Sequence, residues 1–390
     1  MIAPKVFINL PVFNGASTLK RQLDSIFTQT YSNFKLFLSD NASNDDTAAI
    51  CQSYQSDPRF EYHRNIENLG IGTNFNRGIY CGLAAEYLIY ASHNDYWEPT
   101  YLQKCVTALD DHPEASLAYS FCRLVKDGKA TLYQDNFTLT GLSPAERFLT
   151  VMKCLDLCTP FYGLMRVTQL LENEIYLYAG SAGNDNLFLT ALAFSGPFIQ
   201  LEEPLFTREM PVHAYRSIPE RRTIHEDMNN RRLKTPSFPF LSHLISSLSI
   251  AMSRPGGFEE RNELFAEVIN VSLMRSARLI EEEMKLVIDN MLAGRLHTGF
   301  SGETDFENGR FQYLDYFTTL RIIEFLEKSR FFLVEEPAGL NLGRALCYLM
   351  LGRLNEAKNA AEMELRNKGL LSSYAVAADK LVRQLTGHKS

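Results

Sequence analysis

Residues 4–47 read PKVFINLPVFNGASTLKRQLDSIFTQTYSNFKLFLSDNASNDDT. Within this stretch 5–10 and 34–39 are apolar runs of strand length, rich in Val, Ile, Phe and Leu. Between them 17–30 sets Leu19, Leu23, Ile26 and Phe27 on one face of a helix that Ser17 or Thr18 can cap. The second run ends on Asp40, and the polar residues Asn44 to Thr47 can start another helix carrying Ala48, Ala49 and Ile50. Working outward, 59–63 and 86–91 are further strands. Residues 71–84 form a helix, and another follows Pro99, which is tolerated in a first helical turn. Strand, helix and strand at this spacing predict an α/β fold with a mainly parallel sheet covered on both faces. Ligands of such sheets bind beyond the C-terminal ends of the strands. The first strand is followed by PVFNG and no G-x-G-x-x-G, which disfavours the usual dinucleotide fold.

The whole chain has 390 residues, enough for about two to three domains. Its 45% hydrophobic and 22% charged residues predict a folded chain. With 39 Lys and Arg against 46 Asp and Glu, the net charge of -7 provides no chain-wide attraction for nucleic acid. The seven cysteines, an odd number spread along the chain, do not read as a secreted disulfide framework. The start, MIAPKVFINLPVF, reads as a first strand and not as a secretory signal. The apolar run nearest to a membrane span is LSHLISSLSIAM at 241–252, well short of the roughly 20 residues required. These features predict a cytoplasmic chain and leave peripheral contact with the inner face of the membrane open.

Past residue 115 the pattern is mixed. SLAYSFCRLV, a turn at Lys126 to Lys129, and ATLYQ predict two antiparallel strands; 144–156 is helical, 160–168 extended and 184–195 helical. Residues 197–209 form two extended pieces broken by Glu203 and Pro204. The segment 208–234 gathers Arg208, Arg216, Arg221, Arg222, Arg231, Arg232 and Lys234 and reads as a mobile basic loop. The remainder is helical: a Met and Leu stripe spans 264–292, and 340–351 with 355–368 resembles one tetratricopeptide unit. The expected division is 1–235, with a nucleotide-binding half at about 1–100, an acceptor half at about 101–216 and the basic loop at 211–235, followed by a helical domain at 236–390. If one face of the stripe is exposed, it suits a homo-oligomer.

Asp40, at a strand end, reads either as a carboxylate accepting hydrogen bonds from a ligand or as a helix cap. Asp185, ahead of the apolar run Leu187 to Leu192, reads either as a capping acid or as a functional one. Cys154 and Cys158, four apart, lack a partner pair for a zinc site and read as core residues. Trp97 is open between stacking on a sugar and a structural role.

Taken together, PVFNG at 11–15, SDNASNDDT at 39–47, ENLG at 67–70, Asn76 and NDYWEP at 94–99 resemble the inverting glycosyltransferase family 2, with its GT-A fold. The likeness covers roughly residues 4–216. It implies transfer of a sugar from a nucleoside diphosphate sugar to a hydroxyl acceptor, with a saccharide or lipid-linked acceptor in surface polysaccharide or glycolipid synthesis. It also implies that Pro11, Phe13 and Asp40 hold the base and that Asn68, Asn76, Arg77, Asn94, Asp95 and Arg216 line the donor. AGNDNLFL at 182–189 implies Asp185 as the catalytic base, with Asn184 where the family usually has Glu. The attacking hydroxyl must lose its proton, and one positioned carboxylate suffices.

The family's divalent cation, Mn²⁺ or Mg²⁺, is usually met by two acids ahead of the aromatic and Pro segment. Aligned through Tyr96, Trp97 and Pro99, the places hold Ser92, His93 and Asn94. Asp95 and His213, the latter in VHAYRS, are the remaining candidate ligands. The alternative reading that these losses motivate is an inactive nucleotide-sugar binding or assembly protein on the same fold.

Overall fold

The computed structural model describes residues 4–173, 175, 177, 184–210 and 239–252, together with 354–368 and short pieces or single residues within 260–276, 345 and 378–383. The chain divides into two compact units, Met1–Thr235 and Pro236–Ser390.

In the first unit, strands β1 (Val6–Val12), β2 (Phe34–Asp40), β3 (Phe60–Arg64) and β4 (Tyr87–Tyr90) are parallel, in the order β3-β2-β1-β4. Every residue of β1 is buried, as expected for a central strand covered on both faces. Helices α1 (Leu19–Phe27), α2 (Thr47–Gln52) and α3 (Ile71–Gly82) connect these strands. Leu19, Leu23 and Ile26 are fully buried on the predicted face of α1. Thr18 occupies its cap position but makes no capping bond, its hydroxyl turning to Gly15 O and the His93 ring instead. The start of α2 is held by Asp45, which accepts the Thr47 amide at 3.1 Å. At Gly78 a side chain has no room: a Cβ would lie 1.8 Å from Cγ of the buried Asn9.

Beyond β4 the sheet is no longer parallel throughout, as expected of the mixed sheet of the GT-A fold that the sequence resembles. It continues through β8 (Leu164–Arg166), β6 (Leu117–Lys126), β9 (Phe198–Glu209) and β5 (Tyr96–Trp97), with β7 (Lys129–Tyr133) paired to β6 alone. β8 is antiparallel to both β4 and β6, and β5 is antiparallel to β9, so the sheet is mixed. β6 and β7 form the predicted hairpin, with positive φ at both Asp127 and Gly128 as a two-residue loop of this hand requires. The predicted break in β9 is corrected. The strand is continuous, and a register shift lets Leu201 pair Ser120 while Pro204 pairs Phe121, so a bulge absorbs the extra residues. The stretch expected to be extended at 160–168 instead holds a 3-10 turn at Thr159–Tyr162, then β8, then α6 (Val167–Glu172). α4 (Tyr101–Asp111) follows Pro99. α5 (Pro144–Cys154) starts with a full capping box between Ser143 and Glu146. α7 (Asn184–Ser195) carries buried Leu187, Phe188, Leu189 and Leu192.

In the second unit the helices Pro239–Met252 and Leu354–Lys368 are described, with helical pieces within 260–276. Ala345, Ala357 and Ala360 are buried, while Met274 and Met363 are exposed. The basic loop at 211–235, most of the Met and Leu stripe and the first helix of the tetratricopeptide-like pair lie outside the described residues.

Candidate active site

The C-terminal ends of β1 and β2 carry a dense set of polar contacts. The loop after β1 is tied to the loop after β2: Asn14 N–H donates to Ser43 Oγ at 2.9 Å, Gly15 N–H to Thr47 Oγ1 at 3.0 Å and Ala16 N–H to Asp45 at 3.0 Å. Asn14 and Ala42 have positive φ, a conformation that costs energy for any residue with a Cβ and recurs at ligand sites. Asp40 is fully buried beneath these loops. Its Oδ1 accepts the Ser43 amide at 2.8 Å and its Oδ2 the Tyr62 hydroxyl at 2.8 Å, with Arg64 Nε 3.4 Å away. The carboxylate is thus turned into the protein, where it shapes the loop. Pro11 pairs with Ser39 within the sheet, while Phe13 is 36% exposed at the mouth of the loop.

The residues expected to line the donor are mostly braces. Asn68 Oδ1 accepts from Asn41 and from the Gly70 amide, which fixes the turn before α3. Asn76 exchanges two hydrogen bonds with the Leu177 backbone, and Arg77 donates to Asn65 at 2.6 Å. Asn94 is hydrogen-bonded to Ser92 and donates to Glu209 O. Trp97 is buried in the core. Arg216 and His213 lie outside the described residues.

A second group assembles around β9. Asp95 is 1% exposed, and its Oδ1 accepts the Glu209 amide at 3.1 Å. Burial pushes its pKa up to about 7, against the opposing pull of Arg208. Asp185 lies in the first turn of α7, where an acid suits the helix dipole; its Oδ1 accepts the Asn186 amide at 2.9 Å, and its charge acts on the Cys158 thiol. Burial and the Asp185 charge push that thiol well above its ordinary pKa, so it remains a neutral donor. Arg208 stands among these groups, with its guanidinium carbon 5.6 Å from the centre of the Tyr162 ring. Burial works against its charge, but Tyr162, Asp95, Cys158 and Asp185 together outweigh burial and hold its pKa above the usual value. His93 lies between the two groups, bonded to Thr18 at 3.0 Å and two residues from Asp95.

Sequence reasoning missed Arg208, Cys158 and Tyr162 as members of this group. Arg208 was visible only as the first charge of a basic segment; its place on β9 buries it. Cys154, expected in the core, is exposed. The helical spacing that paired it with Cys158 fails because α5 ends at Cys154 and Leu155 is extended.

The residues here do not fit a divalent cation. Mn²⁺ and Mg²⁺ favour about six oxygen ligands. Among the described residues no three His, Cys, Asp or Glu side chains form a group that could hold a metal. Ser92 and Asn94 bond each other, and Nδ1 of His93 is engaged by the Thr18 hydroxyl at 3.0 Å. Asp95 faces an arginine charge that would repel the ion.

The order of these strands and loops matches a known sequence model, that of Glycosyl transferase family 2, over residues 8–167. That model covers less than half of the chain, and the likeness is to the family's domain over these residues. The chain is similar to an uncharacterized glycosyltransferase of Rickettsia typhi, 32% identical over 146 residues, which are 37% of this chain and 43% of that protein. A PGL/p-HBAD biosynthesis glycosyltransferase of Mycobacterium bovis is 27% identical over 38% of this chain and 56% of its own length. The matches thus span less than two thirds of these relatives. Among solved structures, S. aureus TarS 1-349 is similar with a TM-score of 0.54 at 15% identity, over 93% of this chain and 92% of that one. That likeness is one of fold, and it gives the mixed sheet of the family 2 region as a GT-A sheet.

Proposed function

We propose that this chain transfers a sugar from a nucleoside diphosphate sugar to a hydroxyl of a saccharide or lipid-linked acceptor, inverting the anomeric centre, in surface polysaccharide or glycolipid synthesis. The observation that carries this reading is the position of Asp185 in the first turn of α7, with its Oδ1 held by the Asn186 amide and its charge felt by Arg208. An acceptor hydroxyl would attack the anomeric carbon on the face opposite the diphosphate. Its oxygen forms the new bond to carbon, its proton passes to Asp185, and the bond to the phosphate oxygen breaks with its electron pair leaving on the diphosphate. The Asn186 amide, which donates to Oδ1 at 2.9 Å, would keep the carboxylate aimed and leave Oδ2 for the proton.

The nucleotide would lie over the ends of β1 and β2. There the two tied loops present backbone groups and Phe13, with Asp40 fixing them from beneath. S. aureus TarS 1-349 has been solved with UDP-GlcNAc, which supports a nucleotide sugar as the class of donor. Among the described residues no helix is long and apolar enough to cross a membrane.

The test is product formation by the purified chain from a panel of UDP-, GDP- and dTDP-sugars and saccharide acceptors, with the anomeric configuration of the product read by NMR. Asp185→Asn should lower kcat by about a hundredfold or more while the donor Kd stays within about twofold. Unaltered transfer by this variant, or a retained configuration, would remove the assigned base. Donor binding without transfer across the panel would favour the non-catalytic alternative that the replaced acids at Ser92 and Asn94 suggest.

A further inference from the structure

We propose that Arg208, in place of a divalent cation, receives the diphosphate of the nucleotide donor. The inference rests on the transferase reading above and concerns what neutralises the leaving group.

Arg208 is half-buried, and its Nη1 is buried with no hydrogen-bond partner among the described residues. A guanidinium has five N–H donors and is always charged, so a buried donor of this kind left unpaired is costly to the fold. The acids nearby do not relieve it. Arg208 makes no ion pair within the described residues, although Asp95 and Asp185 are close enough to hold its pKa up. Asp95 directs Oδ1 to the Glu209 amide, and Asp185 directs Oδ1 to the Asn186 amide. Glu209, next in sequence, is paired with Arg21 at 2.6 Å. The Tyr162 ring, 5.6 Å away, offers its face to the cation but no acceptor for Nη1. An anionic ligand would supply the missing acceptor.

Position favours the diphosphate as that ligand. In an inverting displacement the base and the leaving group flank one carbon. The Glu209 amide is bonded to Asp95 and Thr207 pairs with Tyr96, so Arg208, between them on β9, stands beside the segment where the family's cation would meet the diphosphate. As the carbon–oxygen bond breaks, charge grows on the departing phosphate oxygen, and a fixed guanidinium can stabilise it with two directed hydrogen bonds. The places where this family usually holds its metal are closed by the contact of Ser92 with Asn94 and by the bond of His93 to Thr18. The charge that a cation would bring is thus supplied from β9, the strand paired to Tyr96 and Trp97.

The experiment is calorimetric titration of the full chain with UDP, GDP, ADP, CDP and dTDP and with each parent nucleoside, first in EDTA and then in millimolar Mn²⁺. The expected result is that at least one diphosphate binds in EDTA about tenfold or more tighter than its nucleoside, and that Mn²⁺ changes its Kd by less than about twofold. In Arg208→Gln the preference for the diphosphate should vanish while nucleoside affinity persists, which also reports that the variant is folded. Arg208→Lys should keep part of the preference. A preference that requires Mn²⁺ in the unaltered chain overturns the proposal without any variant, and so does a preference that survives in Arg208→Gln. If none of the five diphosphates binds in either condition, the transferase reading falls and this proposal falls with it.

Discussion

The Asp40 carboxylate is buried with three polar neighbours, the Ser43 amide, the Tyr62 hydroxyl and Arg64. Asp40→Asn places an amide among these donors and removes the charge. The expected cost is about 1–3 kcal/mol in urea unfolding, because buried donors lose a charged acceptor. Ser43 would then hold Asn14 less firmly, and nucleotide affinity should fall by about tenfold in the titrations described above. Equal stability and equal affinity would show that neither loop depends on Asp40. At Gly78 the constraint is steric, since a Cβ would lie 1.8 Å from Asn9 Cγ. Gly78→Ala forces α3 away from β1 or turns Asn9, whose Nδ2 donates to Phe75 O at 2.8 Å. Overpacking of this kind costs about 1–3 kcal/mol, and a urea midpoint equal to that of the unaltered chain would show that the helix shifts freely.

The elements show what sequence could and could not tell. The strands β1 to β4 were legible because each is a short apolar run ended by polar residues, and burial on both faces makes that signal strong. β5 was not, since two residues carry no period and Tyr96 and Trp97 become a strand only by pairing with Thr207 and Phe206. β9 was read as two pieces because Glu203 and Pro204 break a local pattern, whereas the pairing with β6 decides the outcome. The same strand decided the site: Asp185 could be picked out from the chain, but Arg208 becomes part of its surroundings only through long-range pairing. The start of α5 is closed by a local contact, with Glu146 N–H on Ser143 Oγ at 3.3 Å and Ser143 N–H on the Glu146 carboxylate at 2.8 Å. Ser143→Ala should cost about 1 kcal/mol in urea unfolding. Ser143→Asp should retain most of it, and a loss equal to that of the alanine variant would assign the effect to something other than the cap.

Across the whole molecule, several carboxylates are held below their ordinary pKa by different means. Arg59 does this for Asp57, and Arg21 for Glu209. At Asp110 and Asp45 burial works upward, but the bonds from Lys5 and Tyr87, and from Thr47 and Ala16, outweigh it. A carboxyl whose pKa is lower in the folded chain adds stability above its unfolded pKa and loses it as the pH falls through the folded value. Burial raises Asp95 and Asp135, which work in the opposite sense and favour the fold as they take up protons. Asp95, at about 7, is already protonated when the pH reaches 4. Below about pH 4 the depressed group therefore dominates, and the urea midpoint should fall steadily towards pH 3. Each pair is partly exposed, so salt should flatten this decline. A midpoint that rises below pH 4 at low salt would mean that protonation of the buried acids outweighs the ion pairs.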